Sequence, residues 1–177
     1  MNTYVVLLRG INVSGHKLIK MDFLRTLLGE HGFKNVRTYI QSGNIVLETP
    51  HYSTWILETE LQSVFVHTFG YEIPMILFPY KTFEAFPDKS PYQEATLTDT
   101  QKIYVTFLKE PPSEKQIEQL YAYNNQNEQF TVIDRAVFVC CEKDGRKLKY
   151  SNHFLERLFK TKATTRNLRT VQRIARL

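Results

Sequence analysis

The chain has 177 residues, of which 42% are hydrophobic, 13% aromatic and 23% charged. This composition supports one domain or two small ones with a real core, and it excludes an intrinsically disordered chain. No stretch approaches the roughly 20 apolar residues that span a bilayer, and the opening residues MNTYVVLLRG have no basic segment ahead of a secretory apolar core. We therefore expect a cytoplasmic protein without a membrane segment.

The formal net charge of +5 is unevenly distributed along the chain. Residues 143–177 contain eleven Lys or Arg residues and two acidic ones, a net charge of +9, whereas residues 1–142 carry a net charge of −4. Such an asymmetry favours an anionic partner. The two cysteines, Cys140 and Cys141, are adjacent in a strand-like run and match no zinc or redox spacing, so we expect reduced thiols on opposite faces of a strand.

The first half of the chain follows the order β-α-β-β-α-β. Hydrophobic periodicity predicts strands over 3–11, 36–41, 44–49 and 73–79, and helices over 21–31 and 54–69. Ser42-Gly43 is predicted to form a short hairpin turn, and Gly32 to end the first helix in a left-handed conformation. This order predicts an α+β fold in which residues 1–83 form a ferredoxin-like subdomain, with both helices on one face of the sheet.

The pattern restarts after residues 84–101, which are rich in polar residues and proline and are predicted to be a linker. Strands are predicted over 102–108, 129–133 and 136–142, and helices over 113–123 and 151–159. The last predicted element is a helix over 165–176, capped by Thr164 or Thr165. Residues 102–177 are therefore predicted to form a second, similar α+β subdomain that ends in a basic helix rather than in a fourth strand.

Polar and cationic residues gather where the first strand ends. Strands 1 and 3 of a ferredoxin-like sheet are antiparallel neighbours, so the end of strand 1 lies beside the start of strand 3, at the edge where the first helix begins. Side-chain donors and the free N–H groups of that helix suit a phosphate or a carboxylate. Alternatively, the same Gly, Asn and Ser residues only satisfy turn geometry. The predicted ligand-binding residues are Arg9, Asn12, Ser14, Lys17, Gln41, Ser42 and Asn44.

The basic tail is the second candidate for contact with an anion. On a helix over 165–176, four arginines fall on one face and Leu168, Val171 and Ile174 on the other. That face fits nucleic acid, or it is a solvated surface with intramolecular ion pairs. The predicted basic surface consists of Arg166, Arg169, Arg173 and Arg176.

The sequence contains no strong signature of catalysis. The five histidines form no metal-binding spacing, there is no G-x-S-x-G nucleophile motif, and the glycines match neither a Walker A nor a dinucleotide motif. No cofactor or metal is predicted. Three functions stay open: binding of a phosphate-bearing ligand such as a nucleotide or nucleic acid, catalysis on a small acidic metabolite with His16 as the nominated titrating group, and a structural or oligomeric module without a ligand.

Several segments resemble one protein family. The runs YVVLLRGINVSG, GF..VRTYIQSGN and KLKYSNHFLER…ATTRNLRTVQRI are similar to the bacterial domain-of-unknown-function 1697 family over nearly the whole chain. This chain has Leu168 where Trp is frequent in the family, and Ser14 where Gly is frequent. The resemblance implies an α+β protein of bacterial origin, and it supplies no catalytic residue.

Overall fold

The computed structural model describes residues 1–13, 15–51, 53–94, 97–142 and 150–177. Eight strands and six helices are assigned within these residues. In chain order they are β1 (Asn2–Leu8), α1 (Met21–Glu30), β2 (Lys34–Tyr39), β3 (Asn44–Thr49), α2 (Thr54–Phe69), β4 (Met75–Pro79), α3 (Tyr80–Glu84), β5 (Gln101–Leu108), α4 (Glu114–Tyr121), β6 (Glu128–Ile133), β7 (Ala136–Glu142), α5 (Asn152–Phe159), β8 (Ala163–Asn167) and α6 (Leu168–Ile174).

The first sheet is antiparallel and has the strand order β2-β3-β1-β4. β1 and β3 are antiparallel neighbours, as the β-α-β-β-α-β pattern predicted, and the mixed α+β class is confirmed. Alternate residues of β1, such as Tyr4, Val6 and Leu8, pack into one core with the apolar stripes of α1 and α2. The intervening residues Val5 and Leu7 are fully buried as well, which explains why β1 is an almost unbroken apolar run.

The ends of the first two helices follow from local sequence. Helix α1 ends before Gly32, which has a φ of 89°, and the Phe33 N–H donates to the Leu28 carbonyl at 3.1 Å. This is the bond of a Schellman motif, in which only glycine adopts the left-handed backbone without strain. Helix α2 begins after Ser53, whose side chain accepts from the Ile56 N–H. Both predicted helices are therefore confirmed to within a residue.

The connection between β2 and β3 differs from the prediction of a two-residue turn. Tyr39 and Asn44 are register partners, so the turn comprises the four residues 40–43. Ile40 and Gly43 both have positive φ, 49° and 75°. The prediction was wrong because it extended β2 to Gln41, whereas the left-handed Ile40 ends the strand.

The second sheet is also antiparallel, and its order, β6-β7-β5-β8, repeats that of the first sheet. Its fourth strand was not predicted. β8 pairs with β5 over five residues, with Thr165 opposite Thr106 and Arg166 opposite Val105. The predicted helix over 165–176 is therefore wrong at its start. Two consecutive threonines favour an extended backbone, and the helix is capped by Asn167, whose Oδ1 accepts from the Thr170 N–H at 2.7 Å.

The remaining helices of the second half match their sequence signals. Ser113 and Gln116 form the predicted capping box at the start of α4. Ser151 caps α5 by accepting from the Phe154 N–H. Leu155 and Phe159 of α5 pack with Leu120 of α4 on the second sheet. The short helix α3, which follows β4 directly, was not predicted.

The chain divides into two compact units, residues Met1–Ala85 together with Arg173–Leu177, and residues Phe86–Gln172. The last five residues thus belong to the first unit, although the sequence grouped them with the second half. The segment predicted as a linker, 84–101, lies almost entirely in the second unit. No helix within the described residues has the length and apolarity that a membrane span requires.

Candidate functional site

At one end of the first sheet, β1 ends beside the starts of β3 and β4. This end of the sheet is called the rim below. Leu7 is the register partner of Asn44, and Leu8 that of Met75. Beyond the end of β1, the Arg9 N–H donates to the Pro74 carbonyl at 2.8 Å. The β1–α1 loop (residues 9–20) and the β2–β3 turn (residues 40–43) are therefore neighbours, as the predicted sheet order required.

Asn12 ties the rim together. Its Nδ2 donates to the Ile19 carbonyl at 2.9 Å and to the Gln41 carbonyl at 2.7 Å, and its Oδ1 accepts from the Ile19 N–H at 2.7 Å. The residue has a φ of 54°, a left-handed conformation that Asn tolerates better than most side chains. One carboxamide thus closes the β1–α1 loop and links it to the β2–β3 turn. Asn12 therefore holds the two segments of the rim together.

Asn44 and Ser42 organise the β2–β3 turn. Asn44 is fully buried, and its Nδ2 donates to the Tyr39 carbonyl and to the Ser42 Oγ, both at 2.9 Å. Both hydrogens of this amide are used inside the turn. For Asn44 the structure therefore favours the alternative in which an Asx residue satisfies turn geometry.

Gly43 holds the turn against the loop. A Cβ at this position would lie 2.7 Å from the Leu8 Cβ and 2.8 Å from the Ile11 Cδ1. Contacts of that length are not tolerated, and the φ of 75° is one that L side chains rarely adopt. The Gly43 carbonyl also accepts from the Leu8 N–H at 2.8 Å. A glycine is therefore required where turn and loop meet.

Two cationic side chains of the predicted set lie on the β1–α1 loop. Arg9 is half-buried and Lys17 is exposed. The Lys17 Nζ lies 4.7 Å from the Tyr71 ring centroid and 3.4 Å from the Glu72 carbonyl, a cation–π arrangement. This contribution from residues 71–74 was not predicted from the sequence. The strand order could have indicated it, because the start of β4 adjoins the end of β1.

The other predicted rim residues differ in how far the structure describes them. Gln41 is exposed, and its backbone carbonyl is the one that Asn12 binds. His16 is exposed, and its N–H donates to the Val13 carbonyl at 3.0 Å. Ser14 lies outside the described residues.

Helix α1 begins beside the β1–α1 loop at Lys20, whose side chain makes no capping hydrogen bond. The first-turn acid, Asp22, forms an ion pair with Arg25. Asp22 complements the positive end of the helix dipole, so the dipole and the ion pair with Arg25 account for it without catalysis.

The sequence predicted that Arg166 lies on a basic helical face, and this prediction was wrong. It lies in β8 and is 9% exposed, and its Nη1 donates to the Thr164 Oγ1 and the Thr165 carbonyl, both at 2.9 Å. Burial lowers the pKa of Arg166 to about 10. The other three predicted arginines, Arg169, Arg173 and Arg176, are exposed. The Arg169 Nε lies 3.6 Å from the Glu94 Oε1, with both side chains well exposed.

Two further features concern metal-ligating side chains and the cysteine thiols. Within residues 1–13, 15–51, 53–94, 97–142 and 150–177, His, Cys, Asp and Glu form no group of three or more that could hold a metal ion. Burial raises the pKa of the Cys141 thiol to about 11 and also raises that of Cys140. The two cysteines are free, Cys141 buried and Cys140 half-buried, as expected for neighbours on opposite strand faces.

The fold is that of an α+β protein with two four-stranded antiparallel sheets that have the same strand order. The chain belongs to the family described as protein of unknown function DUF1697, whose model matches residues 1–138. It is similar to a solved structure described as conserved bacterial protein SP0830 from Streptococcus pneumoniae, with 22% sequence identity and a TM-score of 0.73 over 99% of this chain and 97% of the other. At this identity the likeness shows the fold alone. No curated protein matches this chain.

Proposed function

We propose that this protein binds a phosphate-bearing anion at the rim of the first sheet. The observation that carries the proposal is the Asn12 carboxamide, which bonds the β1–α1 loop to the β2–β3 turn through the Gln41 carbonyl at 2.7 Å. This link holds a loop with two cationic side chains against a polar turn. Arg9 and Lys17 supply positive charge, and the start of α1 supplies backbone N–H groups that attract anions.

The roles within the predicted set are unequal. Arg9 and Lys17 are proposed to contact the anion, together with the hydroxyls of Ser14 and Ser42. Asn12, Asn44 and the Gln41 backbone are proposed to hold these groups in place. A compact anion fits best because the donors come from short, tightly bent segments: Gly10, Gly15 and Lys17 all have positive φ, between 49° and 78°.

A nucleotide is the ligand class that we propose first, and nucleic acid is the second candidate. The exposed arginines favour the second candidate, because arginine side chains can neutralise the phosphates of a nucleic acid. Each phosphate neutralised makes the binding more dependent on salt. These arginines are Arg169, Arg173 and Arg176. We also propose a cytoplasmic location. Cys140 and Cys141 point to opposite faces of β7 and cannot pair with each other, which suits a reducing compartment.

Isothermal titration with inorganic phosphate and AMP tests the rim. Lys17→Gln is expected to weaken binding about fivefold or more, because it removes one charge-assisted contact. Lys81→Gln is the matched control. Lys81 is an exposed lysine of α3, which follows β4 at the opposite end of the sheet from the rim. Arg9→Lys tests whether the fork geometry of a guanidinium is needed or charge alone suffices.

Equal weakening by Lys17→Gln and Lys81→Gln would show attraction to net charge rather than a site. The absence of saturable heat with either ligand would overturn the proposal. A salt-dependent response to short RNA or DNA that is lost in Arg173→Gln but unchanged in Lys17→Gln would favour the second candidate over the first.

A further inference from the structure

A cavity of about 320 Å³ lies in the second unit, which is within the range of small-molecule sites. Its floor is the face of the second sheet opposite to helices α4 and α5. Val139 and Cys141 point into the core beneath those helices, so Cys140, between them, points to the other face. Gln129 is the register partner of Cys140 and shares that face.

The wall of the cavity is formed by the segment that precedes β5. Pro91, Tyr92, Gln93 and Leu97 line this side. The Tyr92 hydroxyl lies 3.0 Å from the Thr131 Oγ1 of β6, which fixes the aromatic ring beside the floor. The cavity therefore lies between the sheet face and the segment that Tyr92 anchors.

The chemistry of the lining is unusual because it combines many carboxamides with no charge. Five of the ten lining side chains are carboxamides, and none of the lining residues that the structure describes is charged. The neighbouring acid Glu142 is not in the lining and accepts from the Thr100 hydroxyl at 2.6 Å. The carboxamides are Gln93, Gln101, Gln126, Asn127 and Gln129.

This lining selects for a class of ligand. A charged ligand would find no counter-charge among the lining residues that the structure describes. Carboxamides present a donor and an acceptor side by side, which matches the edge of a nucleobase. Tyr92 adds an aromatic ring, on which a flat heterocycle can stack.

We propose that this cavity binds an uncharged planar heterocycle of the nucleobase kind, through the carboxamides of its floor and end and the ring of Tyr92. The site lies in the second unit and does not depend on the rim proposed above as an anion site.

Cys140 provides a direct readout, because its half-buried thiol lines the cavity. Labelling by a thiol reagent at mildly alkaline pH is followed with and without adenine, cytosine, uracil or hypoxanthine. At least one of these bases is expected to slow labelling in a saturable manner. Cys140→Ser identifies the signal as that of Cys140 rather than of the buried Cys141.

A matched pair of variants tests the carboxamides. Gln129→Leu is expected to weaken binding of the protecting base about fivefold, as loss of one net hydrogen bond predicts. Gln119→Leu, an exposed glutamine of α4 outside the cavity, is expected to change nothing. Protection by no base, equal protection by benzoate or glucose, or the same affinity in both variants would overturn the assignment.

Discussion

Among single residues, Gly43 occupies the position that tolerates a side chain least. We expect Gly43→Ala to lower the free energy of unfolding by about 2–4 kcal/mol, since it combines overpacking against Leu8 and Ile11 with a strained backbone. Gly10 is the control, because its φ is 72° but a Cβ would meet nothing described within 4 Å. Urea unfolding should give a smaller loss, about 1 kcal/mol, for Gly10→Ala. Equal losses would contradict the close approach.

Asn12 is the second residue on which the structure of the rim depends. Asn12→Ala removes three hydrogen bonds, so we expect it to lower the free energy of unfolding by about 2–3 kcal/mol and to abolish phosphate binding. Asn35→Ala is matched in backbone, with a φ of 47°, but loses one exposed bond to Glu48. It should cost about 1 kcal/mol in chemical denaturation. Wild-type phosphate affinity in Asn12→Ala would rule out its positioning role.

Tyr150 makes stability depend on alkaline pH. Its hydroxyl lies 2.9 Å from both the Thr106 Oγ1 and the Thr165 Oγ1, and burial raises its pKa to about 12. Because the unfolded phenol ionises near its ordinary pKa, the unfolded state releases its proton first, and stability is lost as pH rises from about 10 towards 12.

Tyr150→Phe isolates this effect from other groups that titrate at alkaline pH. The stability difference between wild type and Tyr150→Phe should shift against the wild type by about 1 kcal/mol between pH 9 and pH 11. Chemical denaturation at the two pH values measures the shift. A constant difference would mean that the phenol is not buried.

At the scale of elements, the start of α6 distinguishes the observed structure from the sequence prediction. Asn167→Ala should cost about 1 kcal/mol of unfolding free energy, because it removes the acceptor for the Thr170 N–H. Asn167→Asp retains an acceptor and should cost much less. Similar losses in both variants, measured by urea unfolding, would show that the helix is not capped at this residue.

The element predictions succeeded where several local signals agreed. Helix α2 was predicted from its apolar stripe and a Ser53 or Thr54 cap, and the structure adds a left-handed Gly70 at its end. The strand β8 was not predicted because its short run Ala163–Asn167 has polar residues on both faces. Thr165 forms hydrogen bonds within the unit, and Arg166 is buried beside Thr164. Only pairing with β5 distinguishes this run from the start of a helix.

At the scale of the whole molecule, sheet order was the most productive prediction. It placed the loop after β1 beside the turn before β3, which the Asn12–Gln41 bond confirms. It could not show which polar side chains stay accessible. That depends on loop conformation, which directs the Asn12 and Asn44 amides to backbone carbonyls and leaves Lys17 exposed over Tyr71.

The two units repeat one strand order but differ in what their polar groups do. In the first unit, Asn12, Ser42 and Asn44 form hydrogen bonds at the rim. In the second unit Thr106, Tyr150 and Thr165 form a hydrogen-bonded network within the structure. Such a network stabilises the unit when all its members are bonded. The anion site that we propose lies in the first unit, outside this network.

A phosphate titration followed by two-dimensional ¹⁵N–¹H NMR of the full chain tests the anion site most directly. We predict saturable shifts concentrated in the backbone amides of the β1–α1 loop and of the β2–β3 turn, and their loss in Lys17→Gln but not in Lys81→Gln. Shifts that do not saturate, or that fall elsewhere while the rim amides stay fixed, would contradict an anion site at the rim.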